Sequence, residues 1–276
     1  MPMNSQLNGS DMSDPDPLPA ALQMFDLRGR TALITGSGSG IGYALAGGLL
    51  AAGARVVLNG RQADKLQVAA RKLREHHPAQ RILVEAFDVT QTEQVSAAID
   101  RIEHDHGSIE ILINNAGVTH RSPLEQFPEE QWHHIIRTNL DSAFLVSKAV
   151  ARHMIPRRSG KIINICSVQS ELGRPGIAPY AASKGAMKML TKGMAIDWGK
   201  HGIQVNGLGP GYFKTELTQA LVEDPAFSAW LIHRTPSGRW GEVSDLIGAT
   251  VFLSSSASNF VNGHILYVDG GVTATL

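Results

Sequence analysis

The sequence predicts a single-domain, doubly wound α/β fold, with a central seven-stranded parallel sheet covered by helices on both faces. Seven short runs of β-branched and aliphatic residues recur along the chain: TALITG (31–36), ARVVLN (54–59), RILVEAFDV (81–89), IEILINNAG (109–117), GKIINICS (160–167), IQVNGLGPG (203–211) and HILYVDGG (264–271). Between them lie segments with helical spacing of apolar residues, such as DKLQVAARKL and EQVSAAIDRIEHDHG. The first run ends in a glycine-rich turn that opens an Ala/Leu-rich helix. Parallel neighbours require crossovers, and right-handed crossovers place helices on the sheet faces, so this alternation dictates the layered class. In such sheets ligands bind beyond the carboxyl ends of the strands, which directs attention to the residues after each run.

The 276 residues contain no long internal Pro/Ser/Gly linker, so one domain is expected over 25–276. Residues 1–24 carry Asp11, Asp14, Asp16, Pro15, Pro17 and Pro19 and lack a basic start followed by an apolar run. They read as a flexible tail, not a secretory signal. The 43% apolar and 18% charged composition with zero formal net charge leaves no electrostatic footprint for nucleic acid or an anionic membrane. No apolar stretch reaches the ~20 residues a membrane helix needs. The one cysteine, Cys166, allows no internal disulfide and fits a reducing compartment, with the cytoplasm as the expected location. It lies in an apolar run with no His or Asp partner at suitable spacing and reads as packing.

The first turn, TGSGSGIG (35–42), places Gly36, Gly40 and Gly42 around Ser37, Ser39 and Ile41. Glycines let backbone approach a pyrophosphate, and the helix start supplies N–H groups and partial positive charge. Such turns also serve plain packing; here the strand before and the helix after favour a dinucleotide site. The end of the second run selects the cofactor. A carboxylate there would hold ribose hydroxyls and repel a 2′-phosphate, whereas this chain has Asn59, Gly60 and Arg61. The Arg61 guanidinium can pair with a phosphate, so NADP is preferred and NAD possible.

Tyr180 and Lys184, at i and i+4, share one helix face. A free tyrosine titrates near ~10. A unit charge ~4 Å away at an effective dielectric of ~20 is worth about 4 kcal/mol, roughly three pKa units, so Lys184 is expected to bring the phenol within range of a base. Ser167 closes the fifth run at the edge where a substrate would sit, and its hydroxyl can orient a reacting oxygen.

TGSGSGIG, Asp88 after the third run, NNAG (114–117), Asn139, Ser167, YAASK (180–184) and PGYFKT (210–215) together resemble the short-chain dehydrogenase/reductase family over about residues 25–276. The resemblance implies a Rossmann fold and hydride transfer between a nicotinamide cofactor and an alcohol or ketone. It places Asp88 and Val89 beside the adenine, and Asn115, with Ala116 and Gly117, along the cofactor. It also implies cofactor contacts at Tyr180, Lys184, Pro210 and Gly211, with Thr215 at the nicotinamide carboxamide. Asn139, Ser167, Tyr180 and Lys184 match the family's catalytic set, with Tyr180 as acid/base and Asn139 helping to hold a water between Lys184 and solvent. A homotetramer is implied, with the helices after the fourth and fifth strands and the last strand at interfaces. One departure stands before PG, where the family often has a proline two residues ahead and this chain has NGLGPG. Leu208 and Gly209 are expected to leave the backbone freer there.

Longer strings, chiefly NICSVQSELGRPGIAPYAASKGAMKMLT and IQVNGLGPGYFKTELTQALVEDPAFSAWL, resemble the gluconate dehydrogenase branch of that family. That implies reversible, NADP-linked oxidation of the C5 hydroxyl of D-gluconate. A sugar acid also needs a cation for its carboxylate and polar partners for its hydroxyls. Arg121 and Arg174, in loops after strand ends, are candidates for the first, and Gln169 and Glu171 for the second, beside Ser167 and Tyr180. Residues 212–240 are expected to form a helical substrate lid, with Phe227 and Trp230 as packing anchors. Two other readings stay open: reduction of another carbonyl, such as a 3-oxoacyl thioester or another ketose, and non-catalytic NADP binding. The histidine clusters at 75–77, 103–106 and 132–134 read as solvated helix faces, not metal sites.

Overall fold

The computed structural model describes residues 19–275. Seven strands form one parallel sheet: β1 (Thr31–Ile34), β2 (Arg55–Gly60), β3 (Ile82–Ala86), β4 (Ile111–Asn114), β5 (Gly160–Ile165), β6 (Ile203–Pro210) and β7 (Ile265–Val268). Their spatial order is β3-β2-β1-β4-β5-β6-β7, so the chain reverses direction across the sheet between β1 and β4. All seven expected runs become strands, but most pair over fewer residues than the apolar pattern covers. Pairing stops at Ile34, Asn114 and Ile165. The residues after these points are therefore loops at the carboxyl edge of the sheet.

The helices are α1 (Ala20–Gln23), α2 (Gly40–Ala51), α3 (Ala63–Arg74), α4 (Thr92–Asp105), α5 (Glu129–Ile136), α6 (Ser142–Arg157), α7 (Ala178–Gly199), α8 (Gln219–Val222), α9 (Pro225–Arg234) and α10 (Ile247–Ser254). On α3, Leu66, Ala69, Ala70 and Leu73 are buried, and on α4, Val95, Ala98, Ile99 and Ile102. Both sets follow i, i+3, i+4, i+7 and give each helix one apolar stripe against the sheet. Because side chains alternate along a strand, the two faces of the sheet build separate cores. Ile34, Val56 and Leu58 pack with Leu45 and Leu49 of α2, Leu66 of α3 and Leu253 of α10. Their neighbours Leu33 and Val57 point the other way, joining Leu112, Ile162, Ile99 of α4 and Val150 of α6. With both faces covered, β1, β4 and β5 are buried at every position.

Ordered contact begins earlier than the expected boundary at residue 25. Ala20–Gln23 form a helical turn, and the Met24 carbonyl accepts from Ala257 N–H and Ser256 Oγ. The rest of the expected tail, residues 1–18, lies outside the described residues.

Residues 212–240 do carry helices, α8 and α9, after a 3₁₀ turn at Glu216–Thr218. Tyr212, Phe227 and Trp240 form an aromatic cluster with centroids 5.8 to 6.2 Å apart. Phe227 is the anchor at its centre; Trp230 packs on Phe227 at 5.3 Å but is 49% exposed, on the rim. Gly209 is not freer backbone: a Cβ there would lie 2.4 Å from the Tyr267 ring, which fills the space. Among the described residues no helix is long and apolar enough to cross a membrane, and no cluster of three His, Cys, Asp or Glu could hold a metal.

Candidate active site

A cleft of about 750 Å³ opens at the carboxyl edge of the sheet, beyond the ends of β1 and β4 where the strand order reverses. Its floor is the first turn. Gly36 has φ +62°, and a Cβ would stand 2.9 Å from the Ala116 Cα, so only glycine fits. Gly40 and Ile41 begin α2, whose first N–H groups face the cleft beside Ser39, an extended N-cap without a side-chain bond. Gly42 lies behind this surface: its Cβ would meet Asn115 Nδ2 at 2.5 Å and the Gly36 carbonyl at 2.7 Å. It allows the turn to close and does not line the cleft.

Ser37, expected as a cofactor contact, has a side chain that serves the framework and does not reach the cleft. Its side chain is fully buried; Oγ donates to the Ile34 carbonyl at 2.8 Å and accepts from Asn59 N–H at 3.0 Å. Asn115 lines the cleft, yet its amide donates to the carbonyls of Thr35 (2.9 Å) and Gly36 (3.0 Å), while Thr35 Oγ1 accepts from the N–H groups of Asn115 and Ala116. Together these bonds staple the glycine turn to the end of β4.

Along the cleft, Arg61 is exposed at the end of β2, beside Asn59 and Gly60. Asp88 and Val89 follow β3, and Asp88 Oδ1 accepts from the N–H (2.9 Å) and hydroxyl (2.8 Å) of Thr90. Ala116, Gly117, Tyr180, Lys184 and Thr215 line the inner end. Pro210 is buried at the end of β6 and lines neither cavity, while Gly211 borders the smaller one. The chain pattern missed Val118, His134, Arg137 and Thr138, which also line the cleft. They sit on the NNAG loop and at the α5 end, and only the helix period hinted that they share a face.

Asn139 occupies a π-helical turn, Arg137–Asp141, between α5 and α6. The widened turn points its fully buried amide at the NNAG loop: Oδ1 accepts from Val118 N–H at 2.7 Å, and Nδ2 donates to the Val118 carbonyl (2.9 Å) and Ser183 Oγ (3.1 Å). These bonds occupy the side chain, so it positions the loop.

Tyr180 and Lys184 rise from the first turns of α7 toward Ser167, just beyond β5. The Lys184 ammonium donates to the Ile165 carbonyl at 2.6 Å and lies 5.7 Å from the centroid of the Tyr180 ring. Burial brings Lys184 down to about 8. Burial pushes the Tyr180 phenol up, and a hydrogen bond from Ser167 opposes that shift. This is the reverse of the expected direction. The ammonium is engaged by the Ile165 carbonyl, and desolvation of the phenolate is the largest effect on Tyr180.

A second cavity of about 80 Å³ adjoins the cleft and shares Tyr180 and Leu217 with it. Ser167, Gln169, Arg121 and Arg174 line it, with Tyr212 from the segment after β6. Gln169 is buried and its Nε2 donates to the Tyr212 hydroxyl at 3.3 Å. The Arg174 guanidinium lies 5.1 Å over the Phe227 ring. Arg121 is held below its usual range by burial and by the neighbouring Arg174 charge. Glu171 is absent from this cavity and faces away, toward Lys188 and Tyr267. The arrangement can seat a nucleotide along the turn and bring a small anion's reacting carbon beside the Tyr180 hydroxyl.

Comparison with known proteins agrees with this geometry. The family model described as short chain dehydrogenase matches residues 30–226. Gluconate 5-dehydrogenase of Gluconobacter oxydans is 55% identical over 96% of this chain and 100% of its own length. The 5-keto-D-gluconate 5-reductase of Escherichia coli is 54% identical over 90% of this chain and 97% of its own. Among solved structures, a gluconate 5-dehydrogenase from Burkholderia cenocepacia in complex with NADP and tartrate superposes with a TM-score of 0.90 at 58% identity, over 93% of this chain and 100% of that one. Sheet order, glycine turn, the Ser167, Tyr180 and Lys184 constellation and these matches lead to one conclusion: the chain is an oxidoreductase belonging to the short-chain dehydrogenase/reductase family.

Proposed function

We propose that the protein interconverts D-gluconate and 5-keto-D-gluconate with NADP(H), Tyr180 acting as the acid/base. The observation that carries this reading is the position of Tyr180 at the junction of the two cavities, one shaped by a glycine turn and the other holding two arginines. Neither Arg121 nor Arg174 pairs with a carboxylate among the described residues, leaving both free for an anionic substrate. The resemblance to the gluconate 5-dehydrogenase and 5-keto-D-gluconate reductase supports the same substrate, and the NADP complex of the Burkholderia relative supports the cofactor.

The cleft fits a dinucleotide: a side chain at 36 would strike the Ala116 backbone, and the α2 N-terminus faces the space a pyrophosphate would take. Arg61 would hold a 2′-phosphate, with Asp88 and Val89 at the adenine and Thr215 at the carboxamide. Bound nicotinamide supplies or accepts the hydride, and its oxidised form adds positive charge near the phenol. The remaining steps belong to the chain. Ser167 orients the substrate oxygen, Arg121 takes the carboxylate with Arg174 beside it, and Gln169 meets a hydroxyl. During reduction Tyr180 Oη gives its proton to the carbonyl oxygen as the hydride reaches the carbon. During oxidation Tyr180 takes that proton back, and the Lys184 ammonium stabilises the side of the site where charge develops.

The exposed apolar side chains Phe144 on α6, Met189 and Ile196 on α7, and Phe260 before β7 supply surface for a homotetramer. A single buried thiol suits the cytoplasm. The deciding experiment follows NADPH absorbance with 5-keto-D-gluconate, a neutral ketose of equal length and a 3-oxoacyl thioester. Oxidation of NADPH with the keto acid well above both others is expected. Preference for the ketose or thioester, or no turnover of any, defeats the assignment.

A further inference from the structure

The loop between Ser167 and Tyr180 is tethered from outside by one carboxylate. Glu171 Oε1 accepts from the Lys188 ammonium on α7 at 2.5 Å and from the Tyr267 phenol on β7 at 2.7 Å. Lys188 and Tyr267 hold Glu171 below the usual carboxylate range, so it is a charged acceptor for both donors at neutral pH. Tyr267 pairs in register with Gly209 of β6, and its ring covers the Cα of that glycine. Any larger residue at 209 would displace the ring and with it the phenol that reaches Glu171. On its inner side the same loop is tied to α7, where Ser170 Oγ donates to the Lys184 carbonyl at 2.8 Å.

These contacts fall within the stretch from Gln169 to Arg174, whose two end residues line the smaller cavity. Glu171 and Tyr267 line neither cavity. We infer that Glu171 and Tyr267 are positioning residues, a clamp built on Gly209 that holds the substrate-facing wall in register with Tyr180. The inference rests on the proposed function in one respect, that this wall meets the sugar acid. Its physical basis is independent of that. Glycines at 173 and 176, the latter at φ +78°, leave the loop little intrinsic stiffness, so its shape depends on what grips it.

Two variants test the clamp. Tyr267→Phe keeps the ring over Gly209 and removes one donor; Glu171→Gln removes the charge that both donors share. Each is expected to raise KM for 5-keto-D-gluconate about tenfold while kcat and KM for NADPH stay within about twofold. Because both variants weaken the same Glu171–Tyr267 bond, the double variant is expected to match the worse single one instead of multiplying the losses. Amide hydrogen exchange without substrate gives a second readout: faster exchange over 168–177 in both variants, with 36–42 unchanged. Unchanged exchange in that loop overturns the clamp, as does multiplicative loss or an equal rise in KM for NADPH. If wild-type enzyme ignores 5-keto-D-gluconate, the functional reading fails, and exchange over 168–177 still decides the clamp.

Discussion

At the scale of single residues, the chemistry turns on how each polar group is partnered. Lys184 and Tyr180 stand one helical turn apart, as their spacing requires, yet the ammonium bonds to the Ile165 carbonyl. Burial holds the phenol protonated, and in the proposed reaction general acid–base catalysis by such a positioned side chain would contribute about 10²–10⁴-fold. Tyr180→Phe is expected to lower kcat in ketone reduction by about that factor with NADPH still bound, as tested by nucleotide titration beside turnover; near-normal kcat would remove Tyr180 from its role. Arg61 is the only charged group at the end of β2 among the cleft-lining residues, and Ser37 contributes no side chain to the cleft. Arg61→Ala is accordingly expected to lower the NADPH/NADH ratio of kcat/KM by about tenfold or more. An unchanged ratio would place phosphate recognition elsewhere.

At the scale of elements, the π-helical turn between α5 and α6 shows how a small irregularity serves a site. One widened turn rotates Asn139 so that it grips both the N–H and the carbonyl of Val118 and reaches Ser183 on α7. Asn139→Ala leaves these partners short of bonds, at about 1–3 kcal/mol for each buried unpaired group. For a domain of this size that corresponds to a fall in Tm of roughly 5 °C or more, with kcat reduced as well because the NNAG loop loses its anchor. Calorimetry beside turnover checks this: a full kcat with a lowered Tm would confine Asn139 to stability. Much of this element was legible. The 3.6-residue period marks α5 and α6, but nothing in the string RTNLD distinguishes a π turn from an α turn. That choice depends on Val118 and Ser183 arriving alongside.

At the scale of the whole molecule, two lysines buried in the sheet and on α7 set the pH response of stability. Lys161 in β5 is 4% exposed, bonds only to Ser258 Oγ (3.2 Å) and Asn259 Oδ1 (2.9 Å), and is brought to about 8 by burial and Arg30. Its folded pKa lies below the ordinary lysine value of 10.5. Between those two values the unfolded lysine binds more protons, so its contribution to stability rises with pH across that window, and below it the full cost of the buried charge remains. At 1.36 kcal/mol per unit this cost is on the order of 3 kcal/mol. Lys184 acts in the same direction. Lys161→Met is expected to remove its share of the rise of Tm from pH 8 to 10.5, leaving the Lys184-dependent rise against the opposing fall from the buried Cys166 thiol, which burial pushes up to about 11; an identical slope in the variant would show that Lys161 does not titrate there.

The sequence by itself determined the layered fold, the order of its strands and helices, and the glycine turn. Those features follow from periodicities of two and 3.6 residues and from backbone constraints that act between near neighbours. Tyr180 and Lys184 were legible for the same reason, since i and i+4 share a helix face. What the tertiary structure decided was the partner of each polar group. Asn115 reaches 80 residues back to Thr35, Lys184 finds the Ile165 carbonyl, and Tyr267 meets Glu171 across 96 positions. The NGLGPG string suggested a looser backbone, whereas β6–β7 pairing lays the Tyr267 ring on Gly209 and uses the missing side chain. Such contacts have no local period to announce them, because they form only where the sheet brings distant segments side by side.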